Sequence, residues 1–177
     1  MRIGIIGAGN IGSCLARKLT YLGHTVSIAN SRGPETLVDI SAETGASAVT
    51  VTDAVEGAEL VIVSVPQKGV SNLPNELFRD VPESVIVIDT GNYYPSFRDG
   101  HIDAIEDGMT ESGWVAAEIG RPVVKAFNNI TAQSLAKASR PPGTAGRIAL
   151  PIAGDDERAK LVVMKIVDDI GFDSVDA

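Results

Sequence analysis

The sequence predicts an α/β fold: a doubly wound, mostly parallel sheet of about eight strands with helices on both faces. Three observations predict it. Apolar runs of strand length alternate with helix-period segments from one end of the chain to the other. The run at residues 60–65, LVIVSV, is apolar on both alternating faces, as a central parallel strand covered on both sides must be. The first run, RIGII, opens directly into Gly7-x-Gly9-x-x-Gly12 and then into a helical pattern, which makes the fold Rossmann-like.

Taken in order, the first helix is expected from Asn10 to Leu22, with Ile11, Leu15, Leu19 and Leu22 on one face and Gly23 as its stop. A second strand follows at Thr25–Ala29. Pro34 opens a second helix at a position that tolerates its missing N–H, and Gly45 closes it. Strands are expected at 48–51, 60–65 and 85–89, with a helical turn at 53–56. After these come a helix at 111–119, a strand at 123–127, a helix at 132–139, a strand at 148–153, a helix at 156–170 and a last strand at 172–175. The first six strands fit the order 3-2-1-4-5-6; the pairing of the last two is open. Segments 93–108 and 140–147 are irregular, and long loops of this kind often border a site.

Composition narrows the function classes. The chain of 177 residues is 44% hydrophobic and 21% charged, which suits one globular domain spanning 1–177. A net charge of −8 without a Lys/Arg cluster argues against nucleic acid as a partner. The single cysteine, Cys14, reads as a buried small hydrophobe in the first helix; with two histidines, the chain holds too few ligands of the usual kind for zinc. His24 reads as a helix-end residue and His101 has no evident acidic partner, so neither looks like a triad member, and no Gly-x-Ser-x-Gly elbow is present. The N-terminal apolar residues belong to a strand rather than a signal peptide, and no apolar run is long enough to span a bilayer. A cytoplasmic protein with no membrane partner is the expectation.

The glycine stretch carries the chemistry. Gly7 permits the tight turn after the strand, Gly9 lets the backbone approach a pyrophosphate, and Gly12 allows close helix–strand packing. Phosphates would meet the free N–H groups and positive dipole end of the helix starting near Asn10. At the end of the second strand, about 20 residues past the last glycine, a cofactor with a free ribose 2′-hydroxyl calls for an Asp or Glu. Here the sequence reads Asn30-Ser31-Arg32. A guanidinium pairs with a 2′-phosphate and neutral hydrogen-bonding groups flank it, so NADP is expected over NAD; a solvated turn before Gly33-Pro34 is the plainer use of the same residues. Ser64, Val65 and Pro66 end the fourth strand at the topological switch point, where ligands of such sheets bind. Asn92, in the cluster following Asp89, and Asn128, in the cluster following Lys125, should share that rim. Their amides suit a carboxamide or flat heterocycle, with Tyr93, Tyr94 and Phe127 as stacking candidates, although turn chemistry also selects Asn. No proton-transfer pair is evident, so no catalytic residue is assigned. Hydride exchange between a nicotinamide and a flat carrier needs alignment and exclusion of water more than an acid or base.

Together, IGIIGAGNIG, NSR, VSVP, VVKAFNN and the tail from AGDDERAK to GFDSVDA resemble the NADPH-dependent coenzyme F420 reductase family. The resemblance covers nearly the whole chain. It implies that NADP contacts Ala8, Gly9, Asn10 and Ile11, then Ser31 and Arg32, then Val65 and Pro66. Members of that family continue beyond the position of Asp176-Ala177 with an extension that helps form the deazaflavin pocket and a homodimer contact, so this chain is expected to lack that part. The acceptor therefore stays open between F420, a flavin and another small redox molecule. Two other readings stand beside hydride transfer: a non-catalytic NADP-sensing module, and the cofactor domain of an imine or hydroxy-acid reductase.

Overall fold

In the computed structural model, which describes all 177 residues, the main sheet contains β1 (Arg2–Ile6), β2 (Thr25–Ala29), β3 (Ser47–Ala48), β4 (Leu60–Val63), β5 (Ile86–Asp89) and β6 (Val124–Lys125). All neighbours pair in parallel, in the order β3-β2-β1-β4-β5-β6. That is the expected order. The expected single sheet of about eight strands is not what forms: β7 (Ala149–Ile152) and β8 (Asp173–Asp176) pair with each other in a separate parallel sheet. The two sheets touch at one antiparallel bridge, Lys125 to Ala153. The reason lies at the edge of the main sheet. β6 is ladder-paired over only two residues, Val124 and Lys125, and a strand running antiparallel beside it closes just one bridge before Gly154 leads the chain away.

Burial follows strand alternation. Ile3, Ile5, Leu60 and Ile62 face a core shared with α1 (Asn10–Tyr21), α7 (Ala132–Lys137) and α8 (Glu157–Asp169), while Ile6, Val61 and Val63 face the opposite core. On that second face α3 (Val51–Val55), capped by the Thr50 hydroxyl, lies against the backbone of β1. A Cβ at Gly4 would fall 1.8 Å from the Ala54 carbonyl oxygen, so this helix can approach only because residue 4 has no side chain. Helix α1 ends one residue earlier than the sequence suggested. The second helix begins as a 3₁₀ turn at Pro34–Leu37 and continues as α2 (Val38–Thr44), with Gly45 left-handed as its C-cap.

The segment expected to be irregular, 93–108, contains a π turn at Pro95–Asp99 and a short helix, α5 (Asp103–Glu106). Before it, the switch-point loop enters α4 (Gln67–Val70), and after it comes α6 (Glu111–Ile119), capped by Thr110. Helix α8 is capped by Asp156, whose carboxylate accepts from the Arg158 and Ala159 amides. None of the helices is long and apolar enough to cross a membrane.

Candidate functional site

Register places the candidate loops on one line. Ala29 pairs with Ile6, Ile6 with Val63, Val63 with Asp89 and Asp89 with Lys125, so the carboxyl ends of five strands lie side by side. With neighbouring strands about 4.8 Å apart, this row is about 19 Å long, a length suited to an extended dinucleotide. The segments that leave it are 7–12, 30–32, 64–66, 90–92 and 126–128.

At the β1 end the site is made of backbone. Gly7 has φ +111°, and a Cβ there would lie 2.1 Å from the Ser64 carbonyl oxygen; one at Gly12 would lie 1.9 Å from the Gly7 carbonyl oxygen. Gly9 differs: nothing lies within 4 Å of its Cβ position, so its open side faces free space. Gly9 is also the N-cap of α1 and provides no side-chain cap, which leaves the amides of Asn10, Ile11 and Gly12 without an intramolecular acceptor. Unpaired amides and a dipole terminus beside open space form an anion cradle. Ala8 and Ile11 are half-buried beneath it and pack on the core.

At the end of β2 the Asn30 amide is used internally. Its oxygen accepts from the Arg32 amide at 2.8 Å and its nitrogen donates to the Thr36 hydroxyl at 2.9 Å, an Asx turn that fixes the backbone of residues 30–32. The side chains of Ser31 and Arg32 are left exposed. Ser64 and Val65 are half-buried beside Gly7, and Pro66 is exposed.

The opposite end of the row is built from side chains. Asn92 donates to the Asn128 carbonyl at 2.9 Å, which joins the turns after β5 and β6. Phe127 reaches this arrangement with φ +67°, a left-handed conformation that costs a bulky residue on the order of 1–3 kcal/mol. Its ring is buried in the core, so Phe127 is not available to stack on a ligand. The Tyr93 hydroxyl is also committed: it accepts from the Ile102 amide and donates within reach of Glu106 and the Gly100 carbonyl. Of the three aromatic candidates, Tyr94 remains at the surface.

Behind Asn92 lies a polar cluster that the sequence reading did not assign. Lys125 donates to Asp89 at 2.8 Å, with Glu111 3.5 Å away, and the other Asp89 oxygen accepts from the Gly91 amide. Asp89 is almost wholly buried. Gln67, also buried, donates to the Glu111 carbonyl, while its side-chain oxygen has no partner. A Cβ at Gly91 would come within 3.0 Å of both that oxygen and Asp89, which explains the glycine. The signal for the ion pair was present as lone opposite charges ending the apolar runs VIVID and VVK. Their pairing required the β5–β6 register.

A second buried carboxylate fixes the segment beyond. Asp99 accepts from the amides of Lys68 and Tyr94 and from the Arg98 guanidinium. Burial pushes the Asp99 carboxyl up, but the bonds from Arg98, Tyr94 and Lys68 outweigh it and hold the group below the usual aspartate value.

Residues 2–93 match the protein family described as NADP oxidoreductase, coenzyme F420-dependent, over just more than half of the chain. The chain belongs to this family. The matched region runs from β1 through the turn after β5, so it includes the glycine loop, Ser31, Arg32, Pro66 and Asn92; Asn128 and Lys125 lie beyond it. A protein of Sinorhizobium meliloti, SMa0349, described as hypothetical, has the same fold at a TM-score of 0.80 with 32% identity, covering 99% of this chain and 83% of that one. A protein of an Arthrobacter species described as a candidate F420-dependent NADP reductase aligns at 0.75 with 22% identity, over 99% and 84%. Pyrroline-5-carboxylate reductase of Streptococcus pyogenes aligns at 0.67 with 17% identity, over all of this chain and 58% of that one. These last two likenesses are of fold. The oxidoreductase class comes from the family.

Proposed function

We propose that the protein is an NADP(H)-dependent oxidoreductase that moves hydride between the nicotinamide and a flat redox acceptor, a deazaflavin of the F420 type or a flavin. The observation that carries this reading is the cradle at Gly9, where free α1 amides meet open space and no side chain intervenes. A pyrophosphate fits such a donor set because several amides and the helix dipole stabilise its charge together. In this reading Ala8, Asn10 and Ile11 border the phosphates, and Gly7 and Gly12 hold the loop in shape. Ser31 and Arg32, on a backbone fixed by Asn30, take the 2′-phosphate through charge-assisted bonds. The row of strand ends then brings the nicotinamide past Ser64, Val65 and Pro66 to Asn92 and Asn128, which orient its carboxamide. When bound, the dinucleotide supplies the hydride chemistry. The chain supplies alignment and a dry floor, and none of its residues is assigned a proton-transfer role.

Separate titrations of NADPH and NADH, repeated with Arg32→Ala, test the cofactor half. NADPH is expected to bind more tightly in the parent, and the substitution to weaken it by about 10- to 100-fold with NADH little changed. Equal affinities in the parent would remove Arg32 from its role. For the acceptor half, NADPH deuterated at the transferring carbon is incubated with F420, whose reduced ring carbon keeps the label, and anaerobic bleaching of FMN by NADPH is followed separately, because hydrogen delivered to a flavin nitrogen exchanges with water. Label in reduced F420 or bleaching of FMN supports the reading; absence of both rejects these acceptors.

A further inference from the structure

The segment after Asn92 joins a rigid support to exposed aromatic surface. The side chain of Asp99 is wholly buried and accepts from the Lys68 amide, in the first turn of α4, at 3.3 Å and from the Tyr94 amide at 2.8 Å. Arg98 donates to this carboxylate through Nε and Nη2, and Nη2 donates also to the Asn92 carbonyl. The turn at 95–99 is thereby tied to α4, which follows β4, and to the loop that follows β5. On this support Phe97 is 78% exposed and Tyr94 is 38% exposed. Their rings stack with centroids 5.0 Å apart and an interplanar angle of 26°, and the Arg98 guanidinium sits 4.9 Å from the Tyr94 ring centre. Tyr94 is thus engaged by both neighbours, while the Phe97 ring keeps most of its surface in water.

An aromatic side chain held this way forgoes its burial free energy in the free protein and recovers it when a flat apolar surface covers it. Because the backbone beneath is already fixed, little ordering opposes that contact. We propose that Phe97, backed by Tyr94, is the stacking platform for the fused heteroaromatic ring of the hydride acceptor and sets the preference for tricyclic isoalloxazine-type acceptors over small non-aromatic ones. This rests on the acceptor reading above and adds the residues that choose the acceptor. The location supports it: the platform begins two residues beyond Asn92 and is bonded to that residue's carbonyl, so it stands at the acceptor end of the row of strand ends.

The test uses the full chain loaded with NADP⁺ and two fluorescent probes, FMN and oxidised F420, whose emission is quenched by stacking on an aromatic ring. Equilibrium quenching is measured for the parent, Phe97→Ala and Phe97→Trp, with NADPH titrations and sedimentation alongside. Phe97→Ala is expected to raise the Kd of the better probe about tenfold. Phe97→Trp should restore it, with NADPH affinity unchanged throughout. FMN and F420 arms identify which tricycle is used. Binding that depends on Phe97 without hydride transfer would keep the platform and reject the proposed reaction. An unchanged Kd in Phe97→Ala, no quenching of either probe by the parent, or a change from dimer to monomer in Phe97→Ala would each overturn the platform; the last would assign the ring to a contact between copies.

Discussion

The two ends of the row of strand ends are built from different material. Around β1 and β2 the surface offered to a ligand is main chain: Gly7, Gly9 and Gly12 remove Cβ atoms, and the donors are helix amides. Around β5 and β6 it is side chain: Asn92 on Asn128, with Asp89, Lys125, Glu111 and Gln67 packed behind. The backbone-built site fails through collision at Gly7 and Gly12, where a Cβ enters occupied space. The side-chain-built site fails through loss of a partner, since removing one charge strands another.

The sharpest contrast lies within the glycine loop itself. Gly7→Ala forces a Cβ to within 2.1 Å of a carbonyl at positive φ and is expected to cost more than about 4 kcal/mol in urea unfolding, or to prevent folding. Gly9→Ala meets nothing and should stay within about 1 kcal/mol of the parent while NADPH binding weakens. Similar stabilities for the two variants would undo the distinction. At the other end, Lys125→Met leaves Asp89 buried and unpaired, an expected loss of about 3–5 kcal/mol by the same measurement. Adding Asp89→Leu should recover most of it; a double variant no better than the single would show that the ion pair is not the cause.

Asp99 gives a pH signature of intermediate size. Its folded-state pKa is held down, so its contribution is complete above the ordinary aspartate value and is lost as pH falls through the lower folded value, where the unfolded chain binds the proton more readily. Thermal melts from neutral pH to about pH 3 should show an acid limb that is shallower in Asp99→Asn, together with a loss of about 1–3 kcal/mol at neutral pH. A limb of equal steepness would mean other carboxylates govern it. The smallest effect belongs to Asn92→Ala, which removes the bond to the Asn128 carbonyl and the long one, 3.5 Å, from the Asn128 amide, and should cost about 0.5–1.5 kcal/mol. A larger loss would show that Asn92 supports more of the rim than its contacts with Asn128.

The same contrast decides what could be read from the chain. Glycines spaced for a strand-turn-helix are a local pattern, so the β1 loop, the order of the first six strands and the absence of an acid at residues 29–32 were all legible. The Asp89–Lys125 pair is separated by 36 residues and exists only because β5 and β6 are neighbours in register. Gln67 and Asp99 look like surface residues in sequence, yet both are buried. Phe127 and Tyr93 read as ring-stacking residues; packing turned one inward and hydrogen bonding occupied the other. The separate β7–β8 sheet was equally hidden. Its strand patterns were visible, but which edge they would join depends on how far β6 extends.

Lys125 belongs to both constructions at once. Its backbone exchanges two hydrogen bonds with Ala153, at the end of β7, while its ammonium holds Asp89, whose other oxygen holds the Gly91 amide next to Asn92. The residue is a mechanical joint. Removing its side chain would cut the Asp89 link to the turn carrying Asn92 and leave the main-chain bridge to the small sheet in place.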